Sequence, residues 1–218
     1  MGDVRATGAT FIGPATPSAG ALAGALGAGV VRTCPAAPAD AGWGWDWDHL
    51  LGAWQRDIGA TTPTGQVVVC TWPADTTAVP FAELGPEAWR AQVEWPTALW
   101  FTTLVAAAGR CTDGGSLVVV VERPVTLDAP GHAALVAVAD GLVNLVRSLA
   151  AIEGARGVRV NAVATEVHTA PAVPRGAPPA LGAFPGRIEH EVAGAVRLLL
   201  SADAGGMTGT VLTADCGR

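Results

Sequence analysis

The run Leu117-Val-Val-Val-Val121 constrains this chain more than any other stretch of it. A strand with one face in water alternates apolar and polar residues, and this run does not. Consecutive apolar, mostly β-branched residues need cover on both faces, which a parallel sheet between helices provides. Comparable runs recur between segments with helical spacing. Strands are predicted near Val4–Thr7, Val30–Thr33, Val67–Thr71, Leu117–Val121, Val158–Val163 and Thr210–Ala214. Helices are predicted over Ser18–Leu26, Trp47–Ile58, Glu87–Ala108, Ala133–Glu153 and Glu189–Ser201. The alternation predicts an α/β fold, a doubly wound parallel sheet. No linker or repeat divides residues 1–218, so a single domain is expected.

One segment breaks the rhythm. Residues 35–47, Pro-Ala-Ala-Pro-Ala-Asp-Ala-Gly-Trp-Gly-Trp-Asp-Trp, are too few and too rich in Pro and Gly to hold a further helix and strand. The sheet is expected to be shortened there. Trp43, Trp45, Trp47 and Trp54 then have three readings: filler for the missing volume, an interface anchor, or an aromatic ligand platform. The helix Ala133–Glu153 carries Leu135, Val138, Leu142, Leu145 and Leu149 on one seam and Val136, Val143 and Ala150 on another. Asp140, Asn144 and Arg147 leave only a narrow polar stripe, so burial on more than one side is expected. One face should pack on the sheet; the other, with Val143 and Val146, should meet a partner subunit.

Charged residues make up 15% of the chain and its net charge is −6, which argues against nucleic acid or an anionic membrane surface as partner. Gly, Pro or polar residues interrupt each apolar run before the ~18 residues of a membrane span. The start, Met-Gly-Asp-Val-Arg, has neither the basic nor the apolar region of a signal peptide, and a cytoplasmic location is expected. Cys34, Cys70, Cys111 and Cys216 lack C-x-x-C spacing and nearby His ligands. They read as reduced small hydrophobes, and no metal site is expected.

Several segments fall in a familiar order. They are Gly115-Ser-Leu-Val-Val-Val-Val121, Gly141-Leu-Val-Asn-Leu-Val-Arg-Ser-Leu-Ala150, Gly157-Val-Arg-Val-Asn-Ala-Val-Ala164, Leu181-Gly-Ala-Phe-Pro-Gly-Arg187, Glu191-Val-Ala193 and Thr208-Gly-Thr-Val-Leu-Thr-Ala-Asp215. Through them the chain resembles the short-chain dehydrogenase/reductase family of the ketoacyl-reductase-like kind. The resemblance implies a Rossmann-like fold, shortened at residues 35–47. It also implies a Tyr that exchanges the substrate proton, a Lys four residues later that lowers the tyrosine pKa and holds ribose, a Ser that binds the substrate oxygen, and an Asn. Transferred by register, these positions hold Leu135, Ala139, Glu122 and Pro96. No shift of register restores them, because the chain contains no Tyr and no Lys.

The resemblance also implies a T-G-x-x-x-G-x-G loop whose amides meet a pyrophosphate. Thr7-Gly8-Ala-Thr-Phe-Ile-Gly-Pro14 puts Ile12 and Pro14 at the later glycines. Cys70-Thr-Trp-Pro73 stands for N-N-A-G, and Thr165-Glu166 for the Pro-Gly of the nicotinamide loop. No cofactor is expected. The leading reading is a catalytically inactive, degenerate member (a pseudoenzyme). It would assemble with an active paralogue as a hetero-oligomer, or with itself, in a biosynthetic or acyl-thioester pathway. The alternative is a cofactor-independent cyclase, dehydratase or isomerase using Glu122 or Glu166 with His132 or His168. Its bland counterpart is a strand-end Glu122 paired with Arg123, with histidines on surface loops. A third reading is a small-molecule binding protein.

Overall fold

The computed structural model describes residues 8–38, 47–74, 76–124, 130–169 and 187–215. Six parallel strands lie in the order β2-β1-β3-β4-β5-β6: β1 Thr10–Gly13, β2 Val30–Thr33, β3 Thr64–Cys70, β4 Cys111–Glu122, β5 Arg159–Thr165 and β6 Val211–Thr213. Helices α1 Pro17–Leu26, α2 Asp48–Gly59, α3 Pro86–Trp89, α4 Trp95–Arg110, α5 Ala133–Glu153 and α6 Ala193–Leu200 connect them. The doubly wound reading holds. Among the described residues no strand lies outside β2, which leaves Val30 and Val31 exposed on an edge.

Strand alternation divides the interior in two. Val67, Val69, Leu117, Val119, Val121, Val160 and Ala162 meet the layer of α2, α4 and α5. Val68, Cys70, Val118, Val120 and Val163 meet α1 and α6. Trp47 and Trp54 belong to the first layer: Trp47 stands edge-on to Trp95 at 5.3 Å, and Trp54 Nε1 donates to Thr103 Oγ1 at 2.8 Å. For these two, filler is the correct reading and interface anchor is not; Trp43 and Trp45 lie outside the described residues.

The first strand comes later than expected. The predicted Val4–Thr7 lies outside the described residues, and β1 is Thr10–Gly13, buried throughout. Phe11 and Ile12 pair with Val31 and Arg32 on one side and Val68 and Val69 on the other. Thr10–Gly13 is therefore strand, and the loop before the first helix is Pro14-Ala15-Thr16. The long helix predicted over Glu87–Ala108 is interrupted by a π-helical turn at Arg90–Glu94. Pro96 follows directly on that turn as the second residue of α4, where the hydrogen-bond ladder is already shifted, and the helix continues through it.

Helix α5 occupies its predicted span, but its faces differ from expectation. Val143 is 4% exposed and Val146 0%. Both are buried within this chain, because the two seams merge into one arc against the sheet and α4. The solvent face is Ala137, Gly141, Asn144, Arg147, Ser148 and Ile152. With its following turn, Ala133–Arg156 is also long and apolar enough by composition to cross a membrane, contrary to the expectation from the sequence. Its apolar arc is here engaged by β4, β5 and α4.

Val146→Glu should lose roughly 4 kcal/mol or more in urea unfolding, since it buries an unpaired charge. Ala137→Glu should stay within ~0.5 kcal/mol. Weakened assembly of Val146→Glu with unchanged subunit stability would return that residue to an interface.

Candidate functional site

Glu122 closes β4 with its side chain fully buried. A carboxylate taken from water must find donors in the protein. Its Oε1 accepts from His168 N at 2.9 Å, Thr169 N at 3.0 Å and Thr169 Oγ1 at 2.9 Å. Its Oε2 accepts from Thr165 Oγ1 at 3.0 Å and lies 3.1 Å from His168 Nδ1. Since a carboxylate only accepts, Nδ1 carries the proton. Five donors occupy the roughly four lone-pair sites of the two oxygens. Trp72 completes the cluster: its Nε1 donates to Thr165 Oγ1 at 3.1 Å, and its ring meets His168 edge-on at 4.9 Å.

Arg123 does not pair with Glu122. Its side chain leaves the sheet on the other face and meets Asp140 at 2.8 Å in a half-exposed ion pair. The same alternation separates the two candidate carboxylates. Glu122 and Thr165 are register partners on the α1/α6 side. Glu166, one residue on, turns toward α5 and is nearly buried. There it lines a pocket of about 210 Å³ with Arg123, Asp140, Thr213 and Asp215. The acid–base set proposed from sequence is thus divided. Glu122 and His168 form one pair, Glu166 sits across the sheet, and His132 lies in a third place.

His132 precedes α5 and lines a cleft of about 570 Å³. Its Nε2 faces Thr76 O at 3.1 Å and must donate, while Nδ1 is buried without a partner. Beside it, Val79 N donates to Gly131 O at 2.9 Å. Gly131 has φ of +85°, and a Cβ there would approach Ala78 Cβ to 2.9 Å, so glycine is required where this loop meets α5.

Two of the four transferred positions line the cleft, neither with a polar side chain. Leu135 and Pro96 line it, and Ala139 is buried on α5 with 1% exposure. At its other end lie Pro14, Ala15 and Thr16. Pro17 opens α1 without an N–H, and the amide of Ala19 donates to Thr16 Oγ1 at 3.2 Å. The helix start that would greet a pyrophosphate is capped from within. No charged residue lines the cleft among the described residues. This donor set does not fit a nicotinamide dinucleotide. Burial pushes the Cys34 thiol, at the cleft wall, up to about 11, so it is protonated at neutral pH.

Sequence reasoning missed Thr165 and Thr169 as partners of Glu122, Trp72 as the partner of Thr165, and Thr16 as a cap. Thr16-Pro17 carried a readable signal, a capping residue followed by proline at the first helical position. The Glu122 partners did not, because they are 43–47 residues away, and Trp72, which joins them through Thr165, follows the neighbouring strand β3.

The family model described as enoyl-(acyl carrier protein) reductase matches residues 64–218. No curated protein matches the chain. Solved structures share the fold. A short-chain dehydrogenase/reductase from Serratia marcescens aligns with TM-score 0.64 and 20% identity, covering 97% of this chain and 97% of that one. A double mutant described as the Serratia marcescens short-chain dehydrogenase/reductase gives 0.66 and 21%, covering 96% and 97%. A short-chain oxidoreductase from Pseudomonas aeruginosa, described as containing an atypical catalytic center, gives 0.64 and 17%, covering 98% and 97%.

Glu122→Ala strands buried donors and should lose about 2–4 kcal/mol in urea unfolding. Glu122→Gln keeps one acceptor oxygen and should lose less. Unchanged stability in both variants would leave the cluster without its structural role.

Proposed function

The chain belongs to the short-chain dehydrogenase/reductase family, and from that premise we propose that it is a catalytically inactive member that supports an active one. The observation that carries this reading is the composition of the site. The chain has no tyrosine and no lysine, and Leu135 and Ala139 stand where the family's proton donor and its charged partner are expected. Pro96 and Glu122 stand at the other two positions, and Glu122 is committed to five internal donors. The capped start of α1 supports the absence of a nicotinamide cofactor.

What the chain offers instead is surface. On α4, Phe101 and Val105 are exposed, at 55% and 40%. On α5 the neighbouring solvent face presents Ala137, Gly141 and Ser148, small enough to let another helix approach closely, and ends at exposed Ile152. We assign these outer faces as the contact with an active paralogue, or with a second copy of this chain. The active partner supplies the nicotinamide chemistry, acting on a ketone or on a thioester-bound acyl group. The family description, enoyl-(acyl carrier protein) reductase, favours the latter, and the setting is cytoplasmic. The cofactor-free acid–base reading is disfavoured, since the one Glu–His pair that meets, Glu122 with His168, has its carboxylate oxygens occupied and lines neither the 210 Å³ pocket nor the 570 Å³ cleft.

Co-expression with an intact reductase encoded beside it, followed by native mass measurement, tests the proposal. A mixed oligomer is expected, and Phe101→Glu should weaken it without unfolding the subunit. The isolated chain should bind NADH or NADPH with a dissociation constant above ~100 µM. Leu135→Tyr combined with Ala139→Lys should not create reductase activity. Turnover by the chain alone, or tight nicotinamide binding, would overturn the reading.

A further inference from the structure

The 570 Å³ cleft lies within the size range of drug-sized ligand sites. Its walls come from elements fixed for other reasons. Trp95 and Trp100 belong to the core under α4, and Trp72 is held by Thr165. The lining is mostly Ala, Pro, Leu and Trp, with threonine hydroxyls, the Gln92 amide and the His132 imidazole as its polar groups, and among the described residues it holds no Asp, Glu, Lys or Arg. The hydroxyls of Thr16 and Thr71 are already engaged, as a helix cap and with Val120 O at 3.1 Å. A charged ligand would lose its hydration here and meet no counter-ion among the described residues. An apolar one would lose nothing.

We infer that this cleft is a binding site for an uncharged, predominantly apolar small molecule, lying across both the capped start of α1 and the Leu135 face of α5. Three observations carry it. The cavity is large and preformed. Its polar end is closed to phosphate by Thr16, Pro14 and Pro17. Its catalytic end is apolar at Leu135, Ala134 and Val138. The flat indole faces suit an aromatic or fused-ring compound, for which stacking adds to the burial of apolar area. The ligand is held by shape and apolar contact, and no reaction is assigned to it. This goes beyond support of an active subunit and does not depend on assembly.

The probe is N-phenyl-1-naphthylamine, an uncharged aromatic whose emission rises on leaving water. Titration of the purified full chain should give saturable one-to-one binding, with a dissociation constant on the order of 10 µM. NADH should not displace the probe. Leu135→Trp fills the α5 end and should weaken binding at least ~10-fold. Ala37→Trp narrows the other end from an exposed position, so it tests the site even if the first variant fails to fold. Leu198→Ser, exposed on α6 and absent from the cleft lining, should bind as the parent does. Absence of saturable binding, or equal affinity in both filling variants and the control, would overturn the inference. Displacement by NADH would overturn the uncharged-ligand assignment and separately sink the inactive-subunit reading. Failure to bind the probe would leave the assembly reading intact.

Discussion

Strand β4 is buried without a break from Gly115 to Glu122, and both of its faces are dry. Each fully buried valine there is worth about 1.5–3 kcal/mol relative to exposure, provided something covers it. That requirement determines the layers. Leu117, Val119 and Val121 need α4 and α5; Val118 and Val120 need α6 and α1. The same strand has no solvent-facing register to escape to, so its end is as dry as its middle. Any residue placed at that end inherits the burial.

Glu122 is the residue at that end, and its charge explains the local architecture around β5. A lone buried carboxylate would be strongly destabilising. Here the turn after β5 supplies two amides and a hydroxyl, β5 supplies a second hydroxyl, and His168 supplies a ring N–H. Trp72 ties in the segment after β3 through Thr165. The cluster therefore fastens three strand ends together on the α1/α6 side. A position that the family resemblance marks for substrate contact has become a clamp, and it faces neither cavity.

The layers of this fold were legible because they depend on local pattern. Leu117–Val121 demanded double cover, and β2 and α5 have their expected bounds. Errors came where pattern is degenerate. Thr7-Gly8 resembled a glycine loop, yet the strand pairing falls on Thr10–Gly13, and only the ladder with Val30–Thr33 reveals it. On α5, Val143 and Val146 looked like a second face, but neighbouring apolar seams on a helix form one wide arc when a sheet and another helix both touch it. The site was legible as a set of absences, since missing Tyr and Lys need no geometry to read. The company kept by Glu122 was not, because it depends on contacts more than forty residues apart and on which face of each strand a residue takes.

The apolar residues at the transferred positions and the walls of the cleft belong to different parts of the structure. Leu135 and Ala139 extend the apolar arc of α5, and Ala139 fits a position with 1% exposure where an ammonium would need a partner. Apolar replacements there remove a desolvation burden, in keeping with the trade between stability and a functional site. The walls of the cleft are held elsewhere: Trp95 against Trp47, Trp72 by Thr165, and the loop at Thr76 and Val79 by His132 and Gly131. None of these contacts involves Leu135, Ala139 or Pro96, and only the Trp72–Thr165 bond adjoins a transferred position, Glu122. Changes at Leu135, Ala139 or Pro96 therefore alter what the cleft can do without altering that it exists, and a preformed cavity binds an apolar guest with little ordering to offset.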